Sequence, residues 1–158
     1  MRAIVLKEIG GPDKLVVESI EKPEPKEGEV LIKLEAAALN RRDVWIALGA
    51  YPKIQTPAVC GSDGAGVIEK CGPGIDKKLI GQDSIIYPAL NWGDNPRCGG
   101  SDFRVLGMPE QGTFAEYICV PRTSVFPKPS HLSWEEAAAL PLAGLTSWRA
   151  TFSHGELK

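Results

Sequence analysis

This sequence lacks long apolar runs, a strong charge of either sign and an N-terminus that reads as a leader. No stretch approaches the roughly 20 apolar residues that span a bilayer. The opening Met1–Lys7 is too short for a signal peptide and reads as a strand. A formal net charge of −2 over 158 residues gives no electrostatic attraction to nucleic acid or anionic lipid. We therefore predict no nucleic-acid partner and no membrane.

Patterns for metal binding and disulfides are missing as well. The four cysteines are Cys60, Cys71, Cys98 and Cys119. They form no C-x-x-C pair and match no zinc spacing, so we predict reduced, mostly buried thiols and a cytoplasmic protein. No His or Lys adjoins Cys60 to lower its pKa, which favours a small buried residue over a reactive thiol. The two histidines, His131 and His154, are predicted to lie at the surface or in caps.

What is present indicates a soluble, mainly β protein with helices near its end. Hydrophobic residues make up 43% and charged residues 24%, and the many glycines and prolines are spread out as turns. A helix is predicted from Asn40 to Leu48, a second after the capping box of Ser133 and Glu136, and a third over Leu142–Ser153. Short strands separated by turns indicate a barrel or a sandwich. The predicted strands are Arg2–Lys7, Leu15–Ile20, Val30–Leu34, Val67–Glu69, Ser84–Tyr87, Phe114–Val120 and Ser124–Phe126.

The most informative segment is Pro57–Gly74, in which small residues and glycines surround Asp63. Glycine within a strand is tolerated where another backbone or a ligand must come close. The pattern therefore suggests a buried polar site at Asp63, or else a tight β-turn with a surface aspartate. A buried Asp63 is compatible with direct catalysis and with a carboxylate that only accepts hydrogen bonds.

Several segments together resemble the medium-chain dehydrogenase/reductase superfamily over essentially the whole chain. They are Pro23–Glu35, the helix start at Asn40–Asp43, Pro57–Gly74, Gly81–Asp83, Gly112–Tyr117 and Glu136–Thr146. The resemblance implies a mostly β fold with a few helices, a GroES-like, partly open β-barrel that holds a small-molecule substrate, which is the partner we expect. It assigns residues 1–125 to this catalytic domain and residues 126–158 to connecting helices.

Those connecting helices lead, in the family, into a Rossmann cofactor domain. No G-x-G-x-x-G turn follows a strand in this sequence, so the phosphate-binding helix start is not found here. We expect the chain to be a piece of a longer enzyme that binds NADP(H), to be inactive alone, and to form a homo-oligomer at full length.

Many members of the family bind a catalytic zinc, and the matching positions here are Asn40, Ser62 and Leu142. Zinc prefers thiolate and imidazole ligands, whereas an amide and a hydroxyl are weak ligands and leucine offers none. The stretch that matches the structural zinc lobe, Asn91–Gly112, holds only Cys98. We therefore predict no metal.

The zinc-free branch resembles quinone and enone reductases, and this resemblance supplies the candidate site. It implies catalytic roles for Asn40, Tyr51 and Asp63, with Asn40 and Tyr51 as hydrogen-bond donors to the substrate carbonyl. It places Asp43, Trp45 and Ser62 in the substrate pocket, and Asn40, Arg42 and Thr146 at the cofactor. Arg42 is also compatible with an exposed position.

Two other functions stay open at this stage. One is a stand-alone binding module that keeps the barrel without catalysis. The other is a zinc-dependent alcohol dehydrogenase that uses unusual ligands.

Overall fold

The computed structural model describes residues 1–155 and 157, which form ten strands and three α-helices. The strands are β1 (Arg2–Leu6), β2 (Leu15–Ser19), β3 (Glu29–Ala38), β4 (Ala58–Val59), β5 (Asp63–Cys71), β6 (Asp83–Ile86), β7 (Ala89–Leu90), β8 (Arg104–Val105), β9 (Tyr117–Pro121) and β10 (Val125–Pro127). The helices are α1 (Arg41–Ala47), α2 (Trp134–Ala139) and α3 (Pro141–Trp148), and α3 continues as a π-helical stretch, Arg149–His154. Among these residues no helix combines the length and apolarity that crossing a membrane requires.

The main layer is a five-stranded antiparallel sheet in the order β10-β6-β5-β3-β9. Its inner face carries a core of β-branched and aliphatic side chains that alternate along the strands. The buried members are Val30, Ile32, Ile68, Ile86, Leu106, Ile118, Val120 and Val125. This core fixes β5, and hence Asp63 at its first position, against β3.

Gly66, in the middle of β5, lets the backbones of β5 and β3 approach each other closely. Gly66 lies opposite Leu34 of β3, and a Cβ at Gly66 would stand 2.1 Å from the carbonyl oxygen of Lys33. Any larger residue would push the two strands apart. The close backbone approach suggested by the sequence is therefore found within the sheet.

A second sheet, in the order β2-β1-β4, packs with α1 around a separate core. Leu6, Ile46, Cys60 and Met108 are buried in it. The buried face of α1 is formed by Ile46 and Ala47, and the other apolar face of the helix is half exposed. A third, two-stranded sheet of β7 and β8 carries the lobe between them.

The C-terminal helices begin as their caps predict. The Ser133 hydroxyl accepts a hydrogen bond from the Glu136 N–H at 3.2 Å, and the Glu136 carboxylate accepts one from the Ser133 N–H at 2.9 Å. Pro141 ends α2 and occupies the first turn of α3, where its missing N–H costs nothing. Ala137 and Ala138 of α2 pack on Ala65 of β5, which brings the start of α3 to Asp63.

The mostly β fold with a few helices is confirmed, and its sheets stay open rather than closing into a complete barrel. Seven of the ten strands begin and end within a few residues of their predicted positions, and the two-residue strands β4, β7 and β8 were not predicted. The predictions fell short for β3 and β5, which extend further into alanine- and glycine-rich sequence than their apolar patterns suggested.

Candidate active site

The Asp63 carboxylate joins three segments that are distant in the sequence. It is 1% exposed, and its Oδ2 accepts a hydrogen bond from the Asn40 side-chain Nδ2 at 2.9 Å. Its Oδ1 accepts one from the Leu142 N–H, also at 2.9 Å. The Thr113 hydroxyl donates to the Asp63 carbonyl at 2.7 Å. The start of α1, the start of β5 and the first turn of α3 are thus held at one point.

Burial raises the pKa of Asp63, and the hydrogen bond from Asn40 is the largest effect that opposes this rise. A second buried carboxylate lies one turn into α1. Asp43 accepts a hydrogen bond from the Asn40 N–H at 2.8 Å, but its buried Oδ1 has no hydrogen-bond partner in the part of the chain that the structure describes. Burial raises the pKa of Asp43 as well.

Arg42 lies beside this pair, and its guanidinium is held entirely by neutral acceptors. Nη1 donates to the Ser62 hydroxyl and to the Leu106 carbonyl, the latter at 2.6 Å. Nη2 donates to the Met108 carbonyl at 3.1 Å and to the Tyr51 hydroxyl at 3.3 Å. The guanidinium also lies over the Tyr51 ring, 4.8 Å from its centre. The possible exposed position of Arg42 is therefore not what the structure shows.

An open cleft of about 650 Å³ lies on the far side of Arg42. Its floor is formed by Arg42 and Tyr51, and its opposite wall by α3 and the π-helical stretch. Most of the remaining lining is aromatic or aliphatic, as in many small-molecule sites. The other lining residues are Tyr87, Pro88, Ala89, Trp92, Phe103, Val105, Leu142, Leu145, Thr146, Arg149, Ala150 and His154.

The polar lobe between β7 and β8 (residues 91–103) contributes Trp92 and Phe103 to the lining of this cleft. Trp92 packs edge-on against Phe103, with ring centres 4.9 Å apart, and its Nε1 donates to the Asn95 carbonyl at 2.8 Å. Arg149 lies 4.3 Å above the Trp92 ring and donates to the Pro96 carbonyl at 3.0 Å. Cation–π and hydrogen-bond contacts from Arg149 thus join the lobe to the helical wall.

Of the eight site positions predicted from sequence, the structure brings Tyr51, Arg42 and Thr146 to the cleft. Asn40 and Asp63 lie behind it and are bonded to each other. Three predicted pocket residues are not part of the lining: Asp43, Trp45 and Ser62.

Local contacts explain why these three side chains do not line the cleft. Asp43 is turned back to cap α1, and the Ser62 hydroxyl donates to the Leu106 carbonyl at 3.0 Å. Trp45 lies on the exposed face of α1 beneath Arg41, 5.2 Å from the guanidinium carbon. The aromatic wall was not predicted from sequence, although Trp92 and Phe103 both lie in the stretch Asn91–Gly112 that matches the structural zinc lobe.

The positions at which zinc-binding members hold their metal meet in space, but they offer poor ligands. The Asn40 amide and the Leu142 N–H both donate to Asp63, and Ser62 is bonded to Arg42 and to Leu106. A cation would have to compete with the Arg42 guanidinium at Ser62. Within residues 1–155 and 157, no three His, Cys, Asp or Glu side chains are arranged to hold a metal ion. The donor set does not fit zinc.

The cysteines differ in their surroundings. Cys60 is buried, and burial raises its pKa to about 11, as predicted for an unreactive thiol. Cys119 is half-buried, and its pKa is raised to about 11 for the same reason. The expectation of burial is wrong for Cys98, which is exposed in the polar lobe and accepts a contact from Asn95 Nδ2 at 3.2 Å.

Comparison with known proteins matches this geometry to a family. Residues 26–130 match the alcohol dehydrogenase GroES-like domain. A zinc-type alcohol dehydrogenase-like protein of Schizosaccharomyces pombe is 39% identical over 158 residues, which covers 99% of this chain and 46% of that protein. The trans-enoyl reductase tazE of Aspergillus terreus is 35% identical over 149 residues, covering 94% of this chain and 46% of the reductase.

Among solved structures, one described as an NAD-dependent alcohol dehydrogenase superposes with a TM-score of 0.91. It is 41% identical, and the match covers 98% of this chain and 47% of the other. The chain therefore spans about half the length of the relatives that it matches.

Proposed function

Since this chain belongs to the alcohol dehydrogenase GroES-like domain family, we propose that it is the substrate-binding half of an NADP(H)-dependent oxidoreductase. The proposed enzyme reduces quinones or α,β-unsaturated carbonyl compounds without zinc. The trans-enoyl reductase among its relatives supports an unsaturated carbonyl as the substrate. One observation carries the proposal. At the three positions where zinc-binding members hold their metal, the Asn40 amide and the Leu142 N–H donate to Asp63, and the Ser62 hydroxyl donates to the Leu106 carbonyl.

Without a Lewis acid, a hydrogen-bond donor must stabilise the negative charge that develops on the carbonyl oxygen. Tyr51 is the donor that suits this role best, because its hydroxyl lies at the floor of the cleft beside Arg42. Asn40, the other donor expected from sequence, gives a side-chain N–H to Asp63. We assign Asn40 and Asp63 to holding α1, β5 and α3 in register beneath the cleft.

The cleft also suits the flat ring of a nicotinamide. Its volume of about 650 Å³ is in the range of small-molecule sites, and the exposed Thr146 hydroxyl on the α3 wall offers a hydrogen bond. The dinucleotide, when bound, supplies a hydride. On the substrate, the β-carbon gains the hydride and the carbonyl oxygen gains the electron pair. Tyr51 donates a hydrogen bond to that oxygen, and a proton added at the α-carbon completes the reduction.

The test uses the longer protein, assayed with NADPH and a panel of quinones and enones in the presence of a chelator. We expect turnover to persist, and Tyr51→Phe to lower kcat about 100-fold, as loss of one well-placed donor does elsewhere. Tyr117→Phe is the matched control, because Tyr117 lies on β9 under Lys22, outside the cleft lining. Loss of turnover on chelation, or equal turnover in Tyr51→Phe and the control, would contradict the proposal.

A further inference from the structure

The Arg42 guanidinium has no terminal N–H left for a substrate. Each terminal nitrogen carries two hydrogens, and the four are matched by the Ser62 hydroxyl, the Tyr51 hydroxyl and two main-chain carbonyls. Its Nε is buried and has no hydrogen-bond partner among residues 1–155 and 157. Within this part of the chain, Arg42 therefore lines the cleft without a free terminal donor to offer a ligand.

Arginine cannot accept a hydrogen bond, and this fixes the roles at Tyr51. In the Arg42–Tyr51 contact the phenolic oxygen must be the acceptor. The single phenolic hydrogen therefore points away from the guanidinium. The guanidinium also lies over the ring, so the same side chain restricts both the ring and the rotation of its hydroxyl.

We propose that Arg42 is a positioning residue that holds Tyr51 with its O–H directed into the cleft. The inference rests on the proposed function, in which Tyr51 donates to the substrate carbonyl. The carbonyls that hold Arg42 come from Leu106 and Met108, so the chain after β8 sets the direction of the Tyr51 hydroxyl. Because Arg42 acts through Tyr51, it affects turnover only while the phenolic hydroxyl is present.

A double-mutant cycle on kcat of the longer protein tests this dependence. Arg42→Gln in the native background should lower kcat about 10- to 100-fold with KM nearly unchanged, because the donor is misaligned. In the Tyr51→Phe background the same substitution should change kcat less than about two-fold. Arg104→Gln is the control, since Arg104 pairs with Glu110 at the surface outside the cleft.

The outcomes separate this inference from the proposed function. If Tyr51→Phe lowers kcat and Arg42→Gln lowers it again by the same factor, Arg42 does not act through Tyr51 and the inference is overturned. If Tyr51→Phe alone has no effect, the proposed function itself fails. Should Arg42→Gln not fold, as judged by circular dichroism, Arg42→Lys completes the same cycle, since lysine keeps the charge but loses the planar pair of donors.

Discussion

Replacing Asp63 by asparagine tests the junction beneath the cleft with almost no change in shape. The carboxylate accepts two hydrogen bonds, one from Asn40 Nδ2 and one from the Leu142 N–H, both at 2.9 Å. An asparagine side chain has one oxygen and one NH₂ group. While the Asn40 amide keeps its present orientation, one of the two buried donors faces another donor instead of an acceptor, whichever way the new amide is turned.

The cost follows from the two bonds and the burial. A buried donor left without a partner costs about 1–3 kcal/mol, and the bond that remains loses its charge-assisted character, about another 1 kcal/mol. Removing a desolvated charge offsets part of this, because burial already disfavours the ionised form and raises the pKa of Asp63. We expect a net loss of about 1–3 kcal/mol in the free energy of unfolding at pH 7.

Urea unfolding followed by circular dichroism measures this loss, and hydrogen exchange adds a local readout. The Leu142 amide should exchange faster in Asp63→Asn than in the native protein, since its acceptor is gone or shared. Asp83→Asn is the matched control, because Asp83 is exposed on the neighbouring strand β6 and should change stability by less than about 0.5 kcal/mol. If Asp63→Asn unfolds at the same urea concentration as this control, the junction does not hold α3 as described.

Gly66, the cysteines and Asp43 each allow a further test. Gly66→Ala should cost several kcal/mol or abolish folding, because its Cβ would lie 2.1 Å from the Lys33 oxygen; thermal unfolding checks this. At pH 8 a disulfide reagent should label the exposed Cys98 quickly and Cys60, with its pKa of about 11, only in denaturant. Burial raises the pKa of Asp43 in the folded protein above its ordinary 3.8. The contribution of Asp43 to stability is therefore complete below pH 3.8 and is lost as the pH rises through the folded pKa. The unfolding free energy of the native protein relative to Asp43→Asn should fall with rising pH between these two pKa values, by up to about 1.4 kcal/mol per pH unit, and a difference that stays constant there would refute the prediction.

The elements of the fold were largely predictable, because their signals are local. The capping box at Ser133, the helix break at Pro141 and the glycine in β5 all act on residues within one turn or one strand pair. The face of α1 was less predictable. Val44 and Leu48 share a face four residues apart, yet that face is half exposed and Ile46 is buried. The choice depends on which side β1 and the Met108 loop approach, and periodicity alone does not contain that information.

The site was predictable as a set of residue types but not as an arrangement. The metal positions could be aligned by motif, and the structure brings them together. The hydrogen bonds of Arg42 could not be predicted from sequence, because its two carbonyl acceptors, of Leu106 and Met108, lie 64 and 66 residues further along the chain. The bond from Leu142 to Asp63 spans 79 residues in the same way. Long-range contacts of this kind decide which polar side chains face the cleft and which are used to hold it together.

We propose that a hydrogen-bond donor, and not a metal ion, polarises the substrate carbonyl. The metal content of the longer protein tests this proposal, determined by mass spectrometry on the same sample whose turnover is assayed before and after dialysis against a chelator. We expect sub-stoichiometric zinc and unchanged turnover. About one zinc per chain, lost together with activity on dialysis, would contradict it.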